Sequence, residues 1–261
     1  MTGEPVYARG GDNILEDGVV TGTAPLTSYS LATLITRQPA ARVRYGATTV
    51  TVVVTLSTPA LGDIVAIPVS NADAGSGVLV VSNGSGLSVA ITIPAVQANG
   101  IPNTAIKDLK TAVPNAATRT SNVWTFTFTG NSVNLILGGG LAIFGPKRTL
   151  DPDMGWGYEY RERHASSNTA NEYLTRYTVN YQTTERSVIA SIRTDDLAGV
   201  LAWFQANAGG AAPGLLWPQI AGFDAYYGTW DTDFAAKNVA EGTEFYDVAL
   251  TFREFSKGLP V

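Results

Sequence analysis

The sequence has no cysteine and a single histidine, His164. Without thiols there is no disulfide framework, no zinc-thiolate site and no nucleophilic cysteine. With one imidazole a multi-histidine metal site is excluded, and a Ser-His-Asp triad would have to be built around His164. Charge is scarce as well: 15% of the 261 residues are charged, and 17 Lys and Arg against 22 Asp and Glu leave a net −5. The whole chain therefore offers no basic footprint for nucleic acid or for an anionic membrane. Long apolar runs are missing too. Runs such as Val52-Val53-Val54 and Leu135-Ile136-Leu137 are far short of the ~20 residues that span a bilayer, so no membrane insertion is expected. Met1 to Gly10 carries Glu4, Pro5 and Arg9 where a targeting signal needs an apolar stretch, and the chain reads as soluble as made. Asn83-Gly84-Ser85 fits the glycosylation acceptor pattern in form, but without a secretory signal the match reads as chance.

What is present divides near Leu150. Residues 1–150 hold 9 Lys and Arg against 7 Asp and Glu, net +2, while residues 151–261 hold 8 against 15, net −7. Of the 25 Phe, Trp and Tyr, 7 lie in the first part and 18 in the second. The parts build their cores from different materials, which argues for two domains, 1–150 and 151–261, joined around Gly145-Pro146-Lys147-Arg148-Thr149-Leu150-Asp151-Pro152-Asp153.

The first part reads as short strands between small-residue turns. Thr48 to Leu56 is dense in β-branched residues, which suit a pleated, half-buried surface. Asp63 to Ser70, Gly77 to Ser82 and Leu87 to Ile93 follow, separated by Asn71-Ala72-Asp73-Ala74-Gly75 and Asn83-Gly84-Ser85-Gly86. In Asn122 to Thr129 strict alternation sets Trp124, Phe126 and Phe128 on one face and threonines on the other. Only Thr104 to Val113 looks helical, and the fold class is a β-sandwich or jelly roll.

The second part changes style. Tyr173 to Thr183 alternates, with Ser187 to Arg193 as its hairpin partner through Thr183-Thr184-Glu185-Arg186. From Thr194 the chain offers an N-cap hydroxyl, Asp195 and Asp196 in the first turn, then Leu197, Val200, Leu201 and Phe204 at helical spacing, ending near Asn207. Tyr246 to Phe255 alternates again. These residues predict a smaller β-barrel or sandwich with one amphipathic helix near 195–207.

The residues that could carry chemistry have structural readings as well. His164 sits in the polar run Arg161 to Ser167, and no Gly-x-Ser-x-Gly elbow exists, so it reads as a solvated histidine. Glu159 and Glu162 have opposite parity on a strand, whereas Asp231 and Asp233 share a face as a glycosidase pair would; surface charge is the simpler reading. Gly138-Gly139-Gly140 lacks the Lys-Ser/Thr of a phosphate loop and reads as a bulge or bend inside a strand pair. Asp12, Asn13, Asp17 and Asp63 carry oxygen donors for calcium, with no organising spacing. Trp156, Tyr158, Tyr160, Trp217, Tyr226, Tyr227 and Trp230 could stack on sugars, and Trp203 lies at the edge of the helix stripe. Core or subunit interface is the favoured use of such residues, with Trp203, Phe204, Trp217, Trp230 and Phe252 as the anchors. No catalytic, metal or cofactor set emerges, and the expectation is a protein that is not an enzyme.

Two stretches carry a resemblance. Leu135 to Leu150, continuing into Met154-Gly155-Trp156-Gly157-Tyr158, with Asp12-Asn13-Ile14-Leu15 and Asp63-Ile64-Val65-Ala66-Ile67-Pro68 as early strands, resembles a discoidin-like, galactose-binding-type jelly roll of tailed-bacteriophage tail proteins. The strand pair, the helix with Leu201-Ala202-Trp203-Phe204, Leu215-Leu216-Trp217-Pro218, Trp230 and Val248 to Glu254 is similar to the tube-like ring domain of distal tail and minor tail-tip proteins. In the familiar distal tail protein the ring domain comes first; here the order is reversed. The resemblance implies a structural component of a tail tip or baseplate in the virion, made in the host cytoplasm. It further implies a homo-oligomeric ring, six-fold, that joins the tail tube protein to tail-tip and hub proteins. An acidic second domain would then line a lumen and keep DNA from sticking. The rival reading is a carbohydrate-binding adhesin whose jelly roll takes a host glycan.

Overall fold

The computed structural model describes residues 6–9, 13–26, 29–68, 70–72, 78–94, 104–131, 134–146, 148–149, 155–170, 177–206, 213–217, 226–230, 235–239 and 245–254. Of residues 6–9, 78, 148–149, 155–170, 177–194, 203, 206, 213 and 226 it describes the backbone alone. In chain order the strands of the first part are β1 (Val6–Arg9), β2 (Val19–Gly22), β3 (Arg42–Arg44), β4 (Val50–Leu61), β5 (Ile64–Ile67), β6 (Val78–Asn83), β7 (Ser88–Ile91), β8 (Ala105–Asp108), β9 (Thr120–Thr129), β10 (Ile136–Gly138), β11 (Ala142–Phe144) and β12 (Arg148–Thr149). A 3-10 helix, Leu31–Ile35, precedes β3, and a single turn, α1 (Leu109–Ala112), follows β8. The rest of the chain adds β13 (Gly155–Ala170), β14 (Tyr177–Thr194), α2 (Leu197–Ala206), β15 (Pro213–Trp217), β16 (Tyr226–Trp230), β17 (Ala235–Asn238) and β18 (Tyr246–Glu254). The protein is mostly β, as a sandwich or barrel class requires. No described helix is long and apolar enough to cross a membrane.

A five-stranded antiparallel sheet, ordered β2-β4-β9-β6-β7, makes one wall of the sandwich. The opposite wall is made of two small sheets, β11-β5-β8 and β10-β3. Between them lie Val50, Val52, Val54, Leu79, Val81, Trp124, Phe126 and Phe128 from the first wall and Val43, Val65, Ile67, Leu137 and Ile143 from the second. The alternation read from Asn122 to Thr129 is therefore the core face of β9. Full burial of such side chains contributes about 1.5–3 kcal/mol each.

The small sheet β11-β5-β8 is buried on both faces, because β5 and β11 have an apolar residue at every position. Val65, Ile67 and Ile143 point into the sandwich, while Ile64, Ala66, Ala142 and Phe144 point away and pack against Leu215 and Tyr227 of the second part. The result is three layers, with β5 in the middle one.

The third layer is an eight-stranded sheet with the path β12-β1-β15-β16-β18-β14-β13, and β17 pairing with β18 off that path. Hydrogen bonding is not partitioned at Leu150: Val6 to Arg9 pair with Trp217 to Gly214, and Val6 and Tyr7 with Thr149 and Arg148. Counts of charge and aromatics cannot register a four-residue strand that pairs across 200 residues of chain.

Three local expectations change. Thr104 to Val113 is a strand followed by one helical turn, because β8 docks beside β5; Asp108 then caps the turn through the Thr111 N–H at 2.9 Å. Gly138 to Gly140 is not a bulge within one pair. β10 pairs with β3 and β11 with β5, so the glycines carry the chain from one sheet to the other. A Cβ on Gly139 would meet the carbonyl oxygens of Gln38 at 2.5 Å and Thr33 at 2.9 Å, and Gly140 has φ +88. Finally, Thr183 to Arg186 is not a turn, since β14 runs unbroken from Tyr177 to Thr194 and its hairpin partner is β13.

Candidate functional site

The side chains singled out for chemistry are not brought together among the described residues. His164 lies in β13 with Thr184 opposite it, and Glu159 and Glu162 lie in the same strand opposite Ile189 and Arg186. Asp231 and Asp233 lie outside the described residues, as does Asp12.

The calcium candidates have other work. Asn13 is buried, and its Oδ1 accepts from the N–H groups of Leu15 at 3.2 Å and Ile143 at 3.1 Å, tying the N-terminal turn to β11. Asp63 forms a buried ion pair with Arg119, whose guanidinium also donates to the carbonyls of Gly62 at 3.4 Å and Pro114 at 3.3 Å. The main-chain oxygen of Asp63 accepts from Leu109 and Lys110. Asp17 is exposed. Asn83, the formal glycosylation acceptor, builds a turn instead: its Oδ1 accepts from Ser85 and Leu87, and its amide donates to Thr118 at 2.8 Å.

The aromatic anchors separate by burial. Phe204, Trp230 and Phe252 are buried in the chain's own core, and the Trp230 and Phe252 rings meet edge to face with centroids 5.0 Å apart. Trp217 is half-buried against the core that joins the layers. Trp203 belongs to α2, but its side chain lies outside the described residues, as do those of Trp156, Tyr158, Tyr160 and Tyr226. Tyr227 is buried where the sandwich meets the eight-stranded sheet, near Gly140 and Pro68. Its phenol is pushed up to about 12, first by burial and then by the Glu16 carboxylate, with Arg37 opposing. Arg37 grips Glu16 with two bonds, Nε to Oε1 at 2.9 Å and Nη2 to Oε2 at 2.6 Å, so a bidentate ion pair stands beside this junction.

The feature that residue-by-residue reading missed is the β13–β14 hairpin. Its two strands pair from Gly155 opposite Arg193 to Ala170 opposite Tyr177, with a register shift between Ser167 and Asn168. β18 supports β14 only along Ser187 to Thr194. Beyond that point Glu162 to Ala170 and Tyr177 to Arg186 continue as a two-stranded ribbon, roughly 30 Å long at about 3.4 Å per residue. A sequence signal for it exists: no Gly or Pro occurs between Gly157 and Gly199, so nothing punctuates the strands at the expected turn. Along β13, which ends the path of the sheet, the outer main-chain edge has no strand partner among the described residues.

Such an edge is a template for another strand. A polar two-stranded ribbon such as Glu162 to Ala170 with Tyr177 to Arg186 cannot bury a core of its own and is marginal in water. Both considerations make the arm the candidate assembly surface of the molecule.

No family model and no curated protein matches this chain. Among solved structures it is similar to CpGH89CBM32-4 of Clostridium perfringens, a carbohydrate-binding module, at 13% identity and a TM-score of 0.34, over 53% of this chain and 98% of that one. Neither the topology nor a function of this chain follows from a likeness at that score.

Proposed function

We propose that the protein is a structural, non-enzymatic subunit that assembles with copies of itself through the β13–β14 arm, as a ring component of a phage-type tail tip or baseplate. The observation that carries this reading is the arm: 16 residues of edge strand and a ribbon that runs past its own sheet. An edge of that length is normally shortened, charged or covered, and pairing with a neighbouring copy would cover it. Because the arm and whatever receives it are different surfaces, the contact is heterologous, and repeating it by rotation closes a ring. In that reading the eight-stranded sheet forms the ring and the sandwich is carried on its outside. The tail tube protein, the hub proteins and the virion location belong to the same proposal, through the family resemblance.

The test is the mass of the purified chain by native mass spectrometry, with rings viewed by electron microscopy. The full chain should form a closed oligomer. A variant in which Arg163 to Glu185 are replaced by Asn-Gly, so that the paired residues Glu162 and Arg186 are joined by a two-residue turn, should be a folded monomer. A full chain that stays monomeric at high concentration, or rings that survive loss of the arm, would overturn the reading.

A further inference from the structure

Asn83-Gly84 joins two residues whose groups react readily with each other along a main chain. The side-chain carboxamide of Asn83 can reach the Gly84 nitrogen, and Gly84 has no Cβ to hinder a ring closing between them. In the folded chain that ring is kept open. The carboxamide is held by three bonds: its Oδ1 accepts from the N–H groups of Ser85 at 2.9 Å and Leu87 at 3.0 Å, and its Nδ2 donates to the Thr118 carbonyl at 2.8 Å. The attacking nitrogen is engaged as well, since the Gly84 N–H donates to the Val123 carbonyl at 3.3 Å. Yet this lock stands at the surface. Gly84, Ser85 and Gly86 are exposed, and the strand they lead into, β7, is an edge of its sheet that pairs only with β6 among the described strands. Opening an edge hairpin costs less than unfolding the sandwich behind it.

We infer that Asn83 is a deamidation site gated by the β6–β7 hairpin: closed, the hairpin protects the carboxamide, and open, it lets the chain modify itself with water and hydroxide as the only other reactants. Hydroxide takes the Gly84 amide proton, the nitrogen bonds to the Asn83 Cγ, and the Cγ–Nδ2 bond breaks, with Nδ2 leaving as ammonia on a proton from water. Water then opens the cyclic imide at either carbonyl, leaving aspartate or isoaspartate at this position. Neither product restores the lock. Aspartate keeps oxygens for the Ser85 and Leu87 N–H groups but has no donor for the Thr118 carbonyl, and sets a charged oxygen against it. Isoaspartate carries the main chain through Cγ and lengthens the turn between β6 and β7 by one methylene. The modification is therefore one-way: it records that the hairpin has opened and leaves it weaker. It uses no residue of the β13–β14 arm and stands whether or not the chain forms rings.

The experiment is peptide mapping by mass spectrometry of the full chain held in mildly alkaline buffer, either folded or unfolded in urea, with conversion of Asn83 followed over time. Asn99-Gly100, the other Asn-Gly of the chain, gives the rate of the unfolded dipeptide in the same urea samples. In urea Asn83 should convert at a rate comparable with Asn99. In the folded chain it should convert at least about tenfold more slowly than in urea, because only the open population reacts. Ser85→Ala removes the Oγ bond to the Thr120 carbonyl at 2.7 Å that ties the turn to β9 and leaves the Asn-Gly pair intact. It should speed conversion in the folded chain about fivefold, the worth of one ordinary hydrogen bond, and leave the rate in urea unchanged. Gly84→Ala, whose added Cβ meets nothing closer than the Ser121 Oγ at 3.5 Å, should fold and slow conversion in both states. Equal rates at Asn83 in the folded and unfolded chain, no conversion of Asn83 in urea while Asn99 converts, a folded Ser85→Ala chain no faster than the parent, or a Gly84→Ala chain as fast as the parent in urea would each overturn the inference.

Discussion

In the sandwich, β9 is bonded on one side to β4 and on the other to β6, and the edges of its sheet, β2 and β7, are four residues each. In the eight-stranded sheet the terminal strand β13 runs for 16 residues, and its hairpin outlasts the support of β18 by about half its length. Short edges end pairing, and long bare ones invite it. The two regions also differ in what fills them. The sandwich closes on aliphatic residues and three aromatics of one strand, and it has no described ribbon reaching past its walls. One region is complete as a folded unit; the other has bonding capacity left over.

The largest effect that separates them is a core truncation. Trp124→Ala empties the space of a fully buried indole whose Nε1 donates to Ser121, and urea unfolding should show a loss of about 3–5 kcal/mol. Removing the arm, by contrast, should change monomer stability by less than about 1 kcal/mol. If the two changes cost the same in urea, the arm is part of the core and the contrast between the regions fails.

A similar cost is expected at the buried ion pair. Arg119→Ala leaves Asp63 buried without its cation, which destabilises by about 3–5 kcal/mol. The paired change Asp63→Leu with Arg119→Met should recover most of that in the same unfolding assay, because two apolar groups need no partner. Failure of the double variant to recover would mean that the Arg119 bonds to the Gly62 and Pro114 carbonyls, rather than the ion pair, hold this corner of the sandwich.

Alkaline unfolding compares the junction with the sandwich core. Tyr227, at the junction, has its phenol raised from 10.0 to about 12, chiefly by burial; Tyr45, inside the sandwich, is raised further by the same cause. A raised phenol binds its proton more tightly folded than unfolded. Its contribution is therefore complete below pH 10 and is lost as pH climbs toward the folded value, about 2–3 kcal/mol for Tyr227. Stability measured from pH 9 to 12 should fall, and Tyr227→Phe should flatten the fall while leaving the Tyr45 share. An unchanged slope in Tyr227→Phe would mean that the junction opens before its phenol ionises.

Much of the fold was legible because each strand's pattern is set by burial of its own alternate residues. The face of Trp124, Phe126 and Phe128 and the closing strand of Val248, Leu250 and Phe252 are both written in period two. What was not legible depends on pairing across the chain. Ile64, Val65, Ala66 and Ile67 read as one strand, but nothing local says that one face meets β4 and β9 while the other meets β15 and β16. The same holds for Val6 to Arg9. The β13–β14 arm is hidden for a different reason: Thr183 and Thr184 suggest a turn, where the absence of Gly, Asn and Pro argues for continuity. For the candidate site, residue types indicated what chemistry the chain lacks, whereas the edge strand shows only once β14 is paired on one side with β13 and on the other with β18.

The helix gives the smallest and most local of these contrasts. Leu197, Val200, Leu201 and Phe204 do turn one side inward, with Val200 and Phe204 buried, so the period was correct. The cap was not: Thr194 still belongs to β14, opposite Tyr246, and it is Asp196 whose Oδ1 accepts the Gly199 N–H at 2.8 Å. A carboxylate there satisfies an unpaired donor of the first turn and meets the positive end of the helix dipole. Asp196→Ala should therefore lower stability by about 0.5–2 kcal/mol, read as a shift in the urea midpoint, while Thr194→Ala should leave α2 unaffected. Asp196→Asn, which keeps the accepting oxygen without the charge, should lose only the dipole share, about 0.3–1 kcal/mol. If Thr194→Ala were the costlier change, the strand would end at Arg193, one residue earlier than β14 does, and β18 would lose the last of its pairs with the arm-bearing hairpin.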